Sequence, residues 1–233
     1  MIAEALLMAT TVWYVPGWMR TDALRPDLAN CISNVFPGAK IEFKDWDGDR
    51  LVWAHAVDSA DKTAWRIAFE AAMLPKEERE NLVIVGHSLG GRITAHVLAR
   101  LGEHGLKVRQ GLLLAAALPK DDADLVKMGA GSQLPVVSVR NPKDVTLRYA
   151  YRFVGGEFSS AYGAKGSPVA LANVCERVVP EDFTKEVEIE PLWGKVQLFK
   201  DIANHHDIFY FEYLKRVLNE KRVMKRQERQ MGA

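Results

Sequence analysis

Short apolar runs alternate with amphipathic stretches through the first two-thirds of the chain. Thr11 to Val15, Lys40 to Lys44, Asn81 to Val85, Gly111 to Leu118 and Leu134 to Val139 read as strands. The most apolar of them, Leu82 to Val85 and GLLLAAAL from Gly111, suit strands buried on both faces. Leu24 to Val35, Ser59 to Leu74 and Leu89 to Leu101 read as helices; the first closes before Pro37-Gly38 and the second is stopped by Pro75. This alternation predicts an α/β fold, a parallel sheet with helices on both faces, whose ligands bind at the carboxyl ends of the strands. The segment 145 to 200 is irregular, broken by Gly155-Gly156, Gly163, Gly166 and Pro168, with Cys175 to Val179 as a hairpin strand. Ile208 to about Val223 reads as a closing helix, and the basic stretch 219 to 233 as a solvated, frayed tail.

One junction carries chemistry. Gly86-His-Ser88-Leu-Gly90 follows the strand LVIV and opens a helical pattern, which is the Gly-x-Ser-x-Gly spacing of a nucleophile elbow. The chain must reverse from strand to helix within a few residues, and glycines two positions either side of Ser88 make room for that turn. Ser88 is thereby lifted to a helix N-terminus, where the Leu89 N–H can help hold an oxyanion.

A serine hydroxyl is a weak nucleophile and needs a base, which in turn needs an orienting acid. His96 falls inside the elbow helix and His104 just after it, as packing or surface residues. His205 and His206 stand together in a polar loop before the last helix. If His206 or Asp207 caps that helix, His205 faces the sheet edge; His205 is preferred, with His206 the alternative. The acid should follow a strand ending near the base. Asp144 does so, on the Asn-Pro turn after Val139, whereas Asp121, Asp122 and Asp124 look like a solvated helix start. The loop after the first strand, Pro16-Gly17-Trp18-Met19, offers a second oxyanion donor: the Trp18 N–H, or failing that Met19.

Composition narrows the setting. With 233 residues, 48% hydrophobic and 26% charged, the chain fits one globular domain spanning 1–233. A net charge of +1 disfavours a dedicated nucleic-acid binder. Cys31 and Cys175 form no disulfide framework or metal cluster, so a reducing compartment is expected. No apolar run approaches the ~18 residues that would insert stably in a membrane. The N-terminus lacks a basic region and carries Glu4, unlike a signal peptide, and a start at Met8 is equally readable. A cytoplasmic protein follows. Asp45 to Asp49 resembles a calcium loop only superficially: its glycine comes too early, and Ala56 stands where a glutamate is needed. It reads as a solvated turn.

Together these pieces resemble the α/β-hydrolase superfamily, in particular its small esterase and lipase-like members. GHSLGG looks like its elbow, NPKDV like its acid turn and HHDIFY like the start of its final helix, and Ser88, Asp144, His205 follow its chain order. Pro16-Gly17 departs from the His-Gly that many members carry in the oxyanion loop. The resemblance implies a three-layer α/β/α sandwich around a mostly parallel sheet. It also implies a serine hydrolase acting on a small-molecule acyl ester through Ser88, His205 and Asp144, with Leu89 and Trp18 as oxyanion donors and no metal or organic cofactor. A thioesterase, an acyltransferase or an inactive binding protein of the same fold remain alternatives, and oligomeric state is open. The connection between the strands at 111–118 and 134–139 is only about 15 residues, so no large cap is expected there. Tyr149, Tyr151, Phe153, Phe158 and Tyr162 are candidates for an acyl pocket, or simply packing residues of an irregular segment.

Overall fold

The computed structural model describes residues 11–18, 25–47, 53–119, 135–150, 161–166, 173–186 and 205–231. Its elements are β1 (Thr11–Val15), α1 (Arg25–Val35), β2 (Lys40–Phe43), α2 (Trp53–Met73), α3 (Lys76–Glu80), β3 (Leu82–His87), α4 (Leu89–Glu103), β4 (Gln110–Leu114), β5 (Val136–Arg140), a π-helical turn (Thr146–Ala150), α5 (Tyr162–Lys165), β6 (Val174–Val178), α6 (Glu181–Glu186) and α7 (Asp207–Met231). Met19, Asp121, Asp122, Asp124, Tyr151, Phe153 and Phe158 lie outside the described residues, as does the side chain of Tyr149.

Six strands form one sheet in the order β2-β1-β3-β4-β5-β6, every neighbouring pair parallel. Successive strand residues point to opposite faces, and the core divides accordingly. Val12, Tyr14, Val83, Val85, Leu112, Leu114, Val137 and Val139 face a cluster completed by α1 and α7 through Leu28, Ile32, Phe209 and Phe211. Trp13, Val15, Leu82, Ile84, Leu113 and Val136 face the other cluster, with Ala64 and Ile67 of α2 and Ile93, Val97 and Leu98 of α4. The result is three layers, helix on sheet on helix.

Some elements differ from what the periodicity predicts. α2 starts at Trp53 rather than Ser59, because Trp53, Ala56 and Val57 already pack on the core and Asp58-Ser59 lies mid-helix. β6 is a parallel edge strand and not part of a hairpin: Val136 to Arg140 pair with Val174 to Val178, and Arg140 Nε bonds Glu176 Oε2 at 3.1 Å across the pair. The stretch from β5 to β6 is long enough for the crossover that a parallel pair needs. α7 runs past Val223 to Met231, since its last turns are rich in the helix formers Lys, Arg, Gln and Met. Tyr162 is fully buried in the cluster below α4. Its ring is therefore a core residue, which is the packing reading of this position.

Register fixes where the site falls. Val15 is opposite Gly86, His87 opposite Leu114, Leu114 opposite Val139 and Arg140 opposite Val178. The carboxyl ends of β1, β3, β4 and β5 thus meet along one edge, and the loops leaving them are neighbours.

Candidate active site

With Ala115, Ser88 is one of two non-glycine residues with positive φ among the described residues. Its backbone sits at φ 55°, ψ −121°, a sparsely populated conformation for a residue with a Cβ, between the end of β3 and the start of α4. Hydrogen bonds to both sides over-determine it: Ser88 N–H donates to Leu114 O at 3.0 Å, while Ser88 O accepts from Ala117 N–H and Gly91 N–H, each at 2.9 Å. The flanking glycines are steric necessities. A Cβ on Gly86 would lie 2.1 Å from Gly90 O, and one on Gly90 would lie 2.0 Å from Val15 O.

His205, just before α7, bridges the sheet edge. Its Nε2 is 2.9 Å from Ser88 Oγ and its Nδ1 is 2.7 Å from Asp144 Oδ2. His206 turns elsewhere: its Nδ1 accepts the Ile208 N–H at 3.3 Å and stands 3.1 Å from Asp207 Oδ1. The two histidines thus divide the roles of site partner and helix cap. His96 is buried in α4 against Asp61 of α2, and His104 is exposed at the C-terminus of α4.

Asp144 is fully buried and serves as turn residue and acid partner at once. The Asn141 side chain accepts the Lys143 N–H at 2.9 Å, closing the turn that follows β5. Asp144 Oδ1 then accepts the Leu147 N–H at 2.9 Å, capping the helical turn that follows. Oδ2 accepts from His205 and also from the Tyr210 hydroxyl at 2.9 Å. Burial, with the Asp144 charge beside it, holds the Tyr210 hydroxyl well above the usual phenol range, so it remains a donor.

Trp18 and Leu89 also fall at this edge. Gly17 lies so close to the elbow that a Cβ there would be 3.0 Å from Ser88 Cβ, and Trp18 follows directly, its indole edge-on to Trp53 with centroids 5.4 Å apart. Leu89 is the first residue of α4, where helix N–H groups have no acceptor within the helix.

Three further residues at the site are given no role by the sequence alone. His87 ends β3 and stacks on His205, ring centroids 4.8 Å apart. Burial, with the neighbouring His205 and His206 imidazoles against it, pushes its imidazole down to about 4, despite Asp207 and Asp144 nearby. Tyr14 of β1 donates to Asp207 Oδ2 at 2.6 Å, tying the first turn of α7 to the central sheet. Burial alone would raise the Asp207 carboxyl, but the His87 and His206 imidazoles and the Tyr14 hydroxyl outweigh it and hold it low. Tyr210, described above, is the third. Among the described residues no His, Cys, Asp or Glu group has a metal-binding arrangement, and no helix is long and apolar enough to cross a membrane.

Keeping His87 neutral makes folding pH-dependent. The unfolded chain takes up this proton near the ordinary 6.5, whereas the folded chain does so only near 4. The stabilisation is fully present above pH 6.5 and is lost as pH falls toward 4, on the order of 3 kcal/mol in total. Urea unfolding between pH 7 and pH 4 should show this loss, and His87→Leu should flatten it. An unchanged pH slope in the variant would assign the effect elsewhere.

No protein-family model matches the chain, and no curated protein matches its sequence. Solved structures do. A Klebsiella pneumoniae protein described as a dienelactone hydrolase is 13% identical and superposes with a TM-score of 0.52, over 91% of this chain and 86% of that one. Arabidopsis thaliana SOBER1 is 14% identical with a TM-score of 0.46, covering 89% and 98%. An esterase from Pyrobaculum calidifontis is 13% identical with a TM-score of 0.44, covering 94% and 78%. At this identity the first likeness bears on the fold alone. The architecture is an α/β-hydrolase fold, and Ser88, His205 and Asp144 are hydrogen-bonded in series at its β3–α4 elbow, an arrangement consistent with a serine-hydrolase catalytic triad.

Proposed function

We propose that the protein hydrolyses small-molecule carboxylic esters through an acyl-enzyme. The observation that carries this reading is the continuous hydrogen-bonded relay from Asp144 Oδ2 through His205 to Ser88 Oγ, with spacings of 2.7 and 2.9 Å. Ser88 Oγ attacks the acyl carbonyl as His205 Nε2 takes its proton. Asp144 fixes the imidazole tautomer and stabilises the imidazolium. The N–H groups of Leu89 and Trp18 hold the carbonyl oxygen as it becomes an oxyanion. His205 returns its proton to the departing alcohol, then activates the water that releases the acid.

The same reading takes residues 1–233 as one domain and the protein as cytoplasmic. Free Cys31 and Cys175, neither paired in a disulfide, support a reducing location.

A fluorophosphonate probe should label the folded protein, and peptide mapping should find the adduct on Ser88. A series of p-nitrophenyl esters from acetate to decanoate, run beside matched thioesters, then reads out the acyl preference. Turnover of esters above thioesters is expected. Failure to label Ser88 would overturn the enzymatic reading, and a thioester preference would replace the ester assignment with the thioesterase one.

A further inference from the structure

We propose that Trp46 is a positioning residue for the oxyanion loop. Its indole Nε1–H donates to Pro16 O at 2.8 Å, across 30 residues of sequence. Pro16 is buried at the end of β1 and immediately precedes Gly17 and Trp18. The inference rests on the esterase reading with Trp18 N–H as donor, and concerns what holds that donor in place.

The geometry leaves the loop little slack on one side and gives it a hydrogen-bonded anchor on the other. Beneath it lies the first turn of α4: a Cβ on Gly90 would be 2.6 Å from Pro16 O, and one on Gly17 would be 3.0 Å from Ser88 Cβ. Packing of this kind forbids the loop from sinking and does nothing to stop a peptide plane from rotating. Rotation is opposed by the hydrogen bond at Pro16 O. Turning the Pro16–Gly17 peptide would strip that buried carbonyl of the indole and swing Gly17 and Trp18 with it. Trp46 is a rigid donor with no acceptor capacity, so it recognises only the carbonyl-out orientation.

The anchor is itself braced. Trp46 lies in the coil after β2, where Lys44 N–H donates to Tyr14 O at 2.8 Å and Arg66 of α2 donates to Asp45 O at 2.7 Å. Its ring packs against both core clusters, one on each face of the sheet. Loop orientation is therefore referred to the sheet and to α2.

A donor that matters only when negative charge develops should affect transition-state binding and leave ground-state binding alone. Trp46→Phe keeps a ring and Trp46→Met keeps flexible apolar bulk; both remove the N–H. Each is expected to lower kcat about tenfold with KM within about twofold, less than deleting a donor outright. Phenylboronic acid supplies an independent readout. Its boron accepts an electron pair from Ser88 Oγ, the proton passes to His205, and the tetrahedral adduct puts a B–O group where the oxyanion sits. Its affinity, measured by protection of Ser88 from fluorophosphonate, should fall by the same factor as kcat in both variants. Thermal melts identify which variants are folded. Wild-type kcat and boronate affinity in a folded variant would overturn the proposal while ester turnover by the unaltered chain left the parent reading standing. Absence of ester turnover in the unaltered chain would remove the parent reading, and the boronate comparison would still decide the role of Trp46.

Discussion

Ser88→Ala is expected to reduce ester turnover by about 10⁶, to the residual rate that oxyanion donors and binding alone supply. The alanine fits the space of the serine, and the elbow is held by main-chain bonds to Leu114, Ala117 and Gly91 that do not involve the hydroxyl. Stability should accordingly change little, or rise slightly, while activity disappears. His205 would lose a 2.9 Å partner and keep its 2.7 Å contact with Asp144. Initial rates on a short p-nitrophenyl ester, paired with a thermal melt, make the test. A folded alanine variant that retained even a hundredth of wild-type turnover would show that Ser88 is not the nucleophile.

Asp144→Asn should cost about 10⁴ in kcat, the size expected when a triad carboxylate becomes an amide. The surroundings of this residue explain why so conservative a change cannot be absorbed. Oδ1 accepts the Leu147 N–H, and Oδ2 accepts from both His205 and Tyr210. An asparagine has one acceptor oxygen to offer. If that oxygen keeps the cap, the amide nitrogen faces His205 Nδ1 and forces the proton onto Nε2, so the ring donates to Ser88 instead of accepting from it. If the amide turns over, its nitrogen opposes the Leu147 N–H in a fully buried site. Measuring kcat and the melting temperature together separates the two: the first arrangement loses activity with modest destabilisation, the second loses more stability. Activity within tenfold of wild type would remove Asp144 from the relay.

Much of this site is legible in the sequence because its parts are local signals. The apolar run Leu82 to Val85 followed by Gly86-His-Ser88-Leu-Gly90 marks strand, turn and helix in one stretch. The Asn-Pro turn after Val139 and the histidine pair ahead of Ile208 fall where strand ends and a helix start are expected. What escapes the sequence is interaction at a distance. Tyr14 and Asp207 are separated by 193 residues and Trp46 and Pro16 by 30, and nothing in either pair names its partner. His87 is hidden for another reason. It sits inside the elbow motif, and only burial and the ring of His205 above it give it a character. The edge strand Val174 to Val178 misleads because a short polar run beside turn residues suits a hairpin as well as a crossover. The early start of α2 is missed because Asp58-Ser59 is a helix-opening signal that packing of Trp53 and Ala56 overrides.

The position of α7 has a consequence for how the protein becomes active. The nucleophile is made early in the chain, and its base arrives 117 residues later. Within a few residues this same helix start brings His205, the Asp207 that Tyr14 holds and the Tyr210 that reaches Asp144. All six strands of the sheet precede this helix start in the chain, and three of them lie between the nucleophile and its base. On the proposed mechanism Ser88 has no base until the start of α7 docks on the sheet edge, so ester turnover would report on that docking as well as on the chemistry of Ser88.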